Sequence, residues 1–146
     1  MPEKETLERA AKDKAEGKAP STQAGEFVRE EIEHVREGKH GARSTKQAIA
    51  IGLSKARRAG VELAPPEKGS KKIRDQAKRD LSKGEKAGKA KKSTKRSRAV
   101  SQALKKEGHS AASKQALSRQ ARAAAAKRSA ASRSRSAKKA AATRKK

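Results

Sequence analysis

The sequence predicts an all-α protein: a helical hairpin, then isolated basic helices, then a largely disordered C-terminal tail. Glycines cut the chain into helix-sized pieces, and two neighbouring pieces carry apolar stripes that recur at the helical turn of about 100° per residue. Composition limits how tightly these pieces can pack. Charged residues make up 39% of the 146 positions, there is one Phe, and Tyr and Trp are missing. With few large apolar groups and high net charge, little burial offsets the entropy of ordering the chain. The expected molecule is helical and loosely packed.

The first piece, residues 3–16, pairs Glu5 with Arg9 and Glu8 with Lys12 at the i, i+4 spacing that supports a helix. Leu7 is its one large apolar residue, so residues 1–20 are read as an exposed, fraying helix that breaks at Gly17 and Pro20.

Residues 21–63 are read as the amphipathic hairpin. Ser21 or Thr22 is placed to cap its first arm and Gly38 to end it. Ala24, Val28, Ile32 and Val35 fall within an arc of about 80°, with Phe27 on its flank. Glu26, Glu30, Glu33 and Glu37 are expected in water on the opposite face. The second arm opens with Ser44 and Gln47 in capping-box spacing and closes at Gly60. Its stripe is Ala48, Ile49, Gly52, Leu53, Ala56 and Ala59, while Ile51 lies off the stripe, toward Val61 or Leu63. The two stripes close antiparallel through the loop 38–44. Such a hairpin is marginal alone, so a homodimer through residues 22–60, or folding on a partner, is expected.

The Pro/Gly break at residues 64–70 marks the best boundary. Residues 64–128 are read as basic, weakly amphipathic helices and linkers, with Ile73, Ala77 and Leu81 the clearest narrow stripe and residues 84–93 a flexible basic linker. Val100, Ala103 and Leu104 form another short stripe, and Ala116, Leu117, Ala121 and Ala124 a third. Residues 129–146 are of low complexity, contain no acid, and are read as a disordered basic tail.

The charge is uneven. The net is +25: −2 over residues 1–40, +7 over 41–85 and +20 over 86–146, where Glu107 is the sole acid. A basic half of this kind points to a polyanionic partner. The candidate phosphate-contacting residues are Lys46, Arg57, Arg58, Lys91, Lys92, Lys95, Arg96, Arg98, Lys105, Lys106, Arg119, Arg122, Lys127, Arg128, Arg133, Arg135, Lys138, Lys139, Arg144, Lys145 and Lys146. Base stacking needs aromatic faces, which the chain almost lacks, so duplex DNA suits it better than single strands. RNA or a ribosomal site is a further candidate partner. A sharper alternative is a helix-turn-helix in residues 22–60, with Thr45, Lys46 and Gln47 as base readers, although its seven-residue loop is long for that motif.

Other chemistry is sparse. There is no Cys, no apolar h-region in the opening residues and no run near the ~20 apolar residues that span a bilayer. The reading is cytoplasmic and nucleoid-associated, without a membrane role. His34 and His40 are six apart, not at the i, i+3 or i, i+4 spacing that sets two ligands on one helix face, and are read as surface residues. Glu30, Glu31 and Glu33 are read as a solvated face, and the loop 38–43 lacks phosphate-loop spacing. No catalytic residue, metal ligand or cofactor is assigned.

The stretch RSTKQAIAIGLSKARRAGVELAPP (residues 43–66), with STQAGEFVREEIEHVREGKHGA before it and SRAVSQALKKEGHSAASKQALSRQARAAA after, resembles small basic bacterial proteins of unknown function, some labelled plasmid stabilisation protein. The resemblance implies a bacterial maintenance role, either by contact with plasmid DNA or through a protein partner held by the hairpin. Beyond residue 126 the tail is similar in composition to lysine-rich linker-histone tails.

Overall fold

Every regular element in the computed structural model, which describes residues 1–86 and 93–144, is helical. Among these residues the order is α1 (Lys4–Ala15), α2 (Pro20–Arg36), α3 (Thr45–Arg58), α4 (Lys71–Glu85), α5 (Thr94–Lys105), a 3₁₀ turn (Ser110–Ala112), α6 (Lys114–Ala126) and α7 (Ala130–Arg144). Residues 87–92 of the expected linker 84–93, with the candidates Lys91 and Lys92, and the candidates Lys145 and Lys146 lie outside the described residues, while Gly84 and Glu85 of that expected linker belong to α4.

The hairpin of α2 and α3 is the centre of the fold. Phe27 and Ala56 meet in one apolar cluster with Ala10, Ala24 and Val61, and Ile32, Val35 and Ala48 meet in another with Ala42, Ala111 and Ala112. Early residues of α2 thus face late residues of α3, which makes the pair antiparallel. Between the clusters Gly52 brings the two backbones together. A Cβ built there would lie 2.6 Å from Val28 Cα and 2.9 Å from Val28 N. The buried line on α3 is therefore small: Ala48, Gly52 and Ala56, with Ile49 and Leu53 only half-buried at its edges. Ser44 caps α3 by accepting from Gln47 N at 3.2 Å, and Gln47 Oε1 accepts from Arg43 N at 2.7 Å. The reciprocal cap is displaced one residue from its usual form.

Two expectations for the N-terminal region are corrected. α1 is docked on α2 rather than exposed, through Thr6, Ala10 and Asp13, while Leu7 points outward at 41% exposure. Polar bonds and small residues make this contact, which an apolar count misses: Arg9 Nε meets Glu26 Oε2 at 2.7 Å, and Glu3 N donates to Glu30 Oε2 at 3.0 Å. α2 begins at Pro20 rather than after Ser21 or Thr22. Proline suits the first turn, where its missing N–H has no helical acceptor to lose.

Of the helices after residue 67, α4 and α6 are packed on earlier elements and α5 is tied by its end. α4 returns across the Pro65-Pro66 break onto α3, burying Ala77, Asp80 and Gly84 and leaving Ile73 58% exposed. A Cβ on Gly84 would strike the Arg57 carbonyl oxygen. A polar bond chooses this face over the apolar stripe. Asp80, 1% exposed, accepts from Ser54 Oγ at 2.6 Å, Arg58 Nε at 2.7 Å and Gln76 Nε2 at 3.1 Å.

Farther along, Ala111 and Ala112 of the 3₁₀ turn are buried against α2 and α3, and Leu117 of α6 packs beside them. Thr45 Oγ1 donates to Ala111 O at 2.6 Å, and Arg36 Nε donates to Ala112 O at 2.9 Å. The end of α5 is held by main-chain bonds from Gly41 N to Leu104 O at 2.9 Å and from Ala42 N to Gly108 O at 3.0 Å. Thr45→Val is accordingly expected to cost about 1–3 kcal/mol in chemical denaturation, because it leaves the Ala111 carbonyl without its donor in a buried place.

The tail is also corrected. Residues 130–144, expected to be disordered, form α7. Its Ala, Arg and Lys are strong intrinsic helix formers. Arg128 Nη2 donates to Ser132 O at 3.1 Å and to Ser136 Oγ, joining the turn to the new helix. α7 buries no residue, so propensity rather than packing forms it. No helix among the described residues is long and apolar enough to cross a membrane.

Candidate nucleic-acid interface

Whether a carboxylate faces them divides the basic residues into two sets. In α1 to α3 and the loops between them most are engaged: Arg9 with Glu26, Lys18 with Asp13, Arg29 with Glu33, Lys55 with Glu30 and Glu31, Arg58 with Asp80. On α4, Lys71, Lys72, Arg74, Lys78, Arg79 and Lys83 are exposed and, among the described residues, in no ion pair. On α5 to α7 none of the described Lys or Arg residues is in an ion pair, and all are exposed. Glu107 turns away from them, to Arg43 at 3.6 Å.

The exposed set includes most of the sequence candidates. Lys95, Arg96 and Arg98 lie near the start of α5, and Lys105 and Lys106 at its end. Arg119 and Arg122 lie on α6, Lys127 and Arg128 in the turn after it, and Arg133, Arg135, Lys138, Lys139 and Arg144 on α7. Lys46 is exposed in the first turn of α3. Arg57 does not belong with them. It is 8% exposed and turned inward, donating to Leu63 O at 3.0 Å and Ala64 O at 3.2 Å. There it satisfies the chain leaving α3, and burial pulls its guanidinium below the usual arginine value while Asp80's charge opposes this. Arg58 is held by Asp80. The sequence reading missed Lys114, which shares a shallow depression with Gln115, Ser118, Arg119 and Arg122. The i, i+4, i+8 spacing of Lys114, Ser118 and Arg122 was the available signal.

The base-reading alternative loses its residues. Thr45 is buried under the 3₁₀ turn, and Gln47 is spent on capping. Of the three proposed readers only Lys46 faces outward, and the start of α3 is covered rather than presented.

Between α2 and α3 lies a polar cluster that the sequence reading placed in water. Glu30 and Glu31 are 2% and 1% exposed. The Lys55 ammonium bonds both, at 3.1 Å to Glu30 Oε1 and closely to Glu31 Oε1. Burial pushes the Glu30 carboxyl up, but the Glu3 N–H, the Thr6 hydroxyl and Lys55 together hold it below its ordinary value. His34 and His40 are half-buried rather than on the surface, and their rings meet edge to face with centroids 5.9 Å apart. Glu31 and His34 share a face of α2 at i, i+3, and the turn at Gly38, with φ +75°, brings His40 back beside them. Measuring one histidine against the other along a helix could not reveal this; the signal was the E-x-x-H spacing followed by a glycine turn.

Residues 13–69 match a family model described only as a family of unknown function, DUF6496, so the similarity spans the end of α1, the hairpin and the break before α4. No curated protein matches the chain, and no solved structure matches it.

Proposed function

We propose that the chain binds duplex DNA through the phosphate backbone, without reading sequence, using α5, α6 and α7 as a basic arm mounted on the packed helices α1 to α4. The observation that carries this reading is the separation of charge: carboxylates engage most of the basic residues of α1 to α3 and their loops, while the exposed ones of α5 to α7 have no such partner, and residues 86–146 hold Glu107 as their sole acid. The exposed, unpaired basic residues of α4 extend that surface. Lys and Arg at phosphates release condensed counterions, and that gain needs no base contact. The near-absence of aromatic residues withholds stacking platforms from unpaired bases. The hairpin then serves as the mount, and its match to a family model that excludes the basic arm supports treating mount and arm as different parts.

Salt titration of duplex binding tests this. With about eight phosphate contacts, log K falls against log salt with a slope of roughly −7, and the slope is the same for unrelated sequences. Truncation after residue 128 removes Arg133, Arg135, Lys138, Lys139, Arg144, Lys145 and Lys146 but no buried side chain among the described residues. It should flatten the slope by up to about 6 and leave the circular dichroism of the remaining helices intact. A truncation at residue 108 is a poorer test, since it also strips Ala111, Ala112 and Leu117 from the apolar cluster. A salt-independent affinity, or strong preference for one duplex sequence, overturns the reading. Structured RNA or an acidic polypeptide outcompeting duplex DNA reassigns the partner.

A further inference from the structure

Glu31, His34 and His40 each turn one ligand atom toward a common point, and these atoms all lie within 4.8 Å of one another. His40 Nε2 is 3.5 Å from Glu31 Oε2, and His34 Nδ1 is 3.7 Å from Glu31 Oε1. In a tetrahedral zinc site with bonds near 2.0–2.1 Å, neighbouring ligand atoms are about 3.3 Å apart, so small side-chain movements would close the set.

The outer atoms of both rings are already fixed. His40 Nδ1 lies 3.0 Å from Gly41 O, which can only accept, so that nitrogen carries the proton. His34 Nε2 lies 2.9 Å from Glu3 Oε1. The Glu3 carboxylate, whose Oε1 also accepts from Lys39 Nζ at 3.0 Å, is an acceptor as well. In the neutral rings the inward atoms, His34 Nδ1 and His40 Nε2, are then lone pairs. Orientation of a ligating histidine by a carboxylate or a main-chain carbonyl is the usual support of a metal site.

A second observation points to a cation ligand. Glu31 Oε2 is buried and has no hydrogen-bond partner, since Lys55 binds Oε1. Buried side-chain oxygens of this kind rarely go unpaired. The charges agree. The carboxylates of Glu3, Glu30 and Glu31 face only the ammonium groups of Lys39 and Lys55, and Lys39 is shared with Glu37.

We propose that Glu31, His34 and His40 form a binding site for a divalent transition ion of zinc type, with two imidazole nitrogens and one carboxylate oxygen as protein ligands and a further position open to water. Two nitrogens and an oxygen suit zinc, and the missing thiolate disfavours softer ions. The ion would join the end of α2 to the loop whose next residues, Gly41 and Ala42, hold the end of α5. Its occupancy would therefore stiffen the junction on which the basic arm is mounted.

The test uses the metal-stripped full chain, titrated with zinc chloride by calorimetry and followed by nitrogen NMR of the histidine side chains. One zinc should bind per chain, raise the melting temperature, and shift the resonances of His34 Nδ1 and His40 Nε2 while leaving His109 unchanged. His34→Ala and His40→Ala should each weaken binding more than about 100-fold, and Glu3→Gln about tenfold. If either alanine variant fails to fold, His34→Asn and His40→Gln take its place, with circular dichroism as the check on folding. Zinc affinity unchanged in folded variants, shifts confined to the outward nitrogens, or no saturable binding to the wild-type chain overturns the site. Duplex affinity measured without zinc reports on the basic arm alone, so failure here is distinct from failure of the DNA reading.

Discussion

Lys55→Met is expected to lower unfolding free energy by about 3–5 kcal/mol, measured by urea denaturation. The Lys55 ammonium lies between Glu30 and Glu31, whose carboxylates are almost wholly excluded from water. Removing it leaves two like charges close together with no cation between them, and a carboxylate in that setting loses hydration without replacement. Methionine keeps most of the side-chain volume, so packing contributes little to the loss. Adding Glu30→Gln to Lys55→Met should restore part of the stability by removing one of the stranded charges. If the single variant is as stable as the parent chain, these carboxylates do not depend on Lys55.

The second large effect comes from one methyl group. Gly52→Ala is expected to cost about 3 kcal/mol or more in the folded protein, because the new Cβ meets Val28 backbone atoms at 2.6 and 2.9 Å and main chain cannot step aside as a side chain can. In a free helix the same change helps by about 1 kcal/mol. The sign therefore reports on packing. A peptide of residues 43–61 should gain helicity with alanine at position 52, while the full chain should lose stability. A gain in both would mean that α2 and α3 do not approach closely at this point.

Much of the hairpin is legible in the sequence because local rules specify it. Glycine at 38 and 60, the serine cap at 44 and the recurrence of Ala24, Ile32 and Val35 each act within a turn or two. What reading by apolar spacing missed was placed by small residues and buried charge. α1 docks on Thr6 and Ala10 while Leu7 stays outside, and α4 docks on Ala77, Asp80 and Gly84 while Ile73 stays outside. A hydrophobic pattern gives no weight to an aspartate that three donors satisfy or to a glycine that admits a carbonyl. The same limit hid Glu31 and the two histidines, since a charged residue is assigned to water until its partners are known. The exposed arm was easier to read. Its residues needed only to be basic to be placed in water; two candidates outside it are held elsewhere, Arg57 by carbonyl groups after the end of its own helix and Arg58 by Asp80.

The bond from Thr45 to Ala111 joins residues 66 apart in the chain, and that from Arg36 to Ala112 joins residues 76 apart. By contrast α1, α2, α3 and α4 each pack on a neighbour in sequence. Contacts between close neighbours form early, and those that close long loops wait for the entropy of closure to be met. During synthesis the first four helices can thus assemble before residue 111 has emerged, with Ile32, Val35 and Ala48 still open on one side. Ala111 and Ala112 then complete that side. The order of assembly sets the weakly charged part of the molecule in place first, and the strongly cationic part joins a surface already formed.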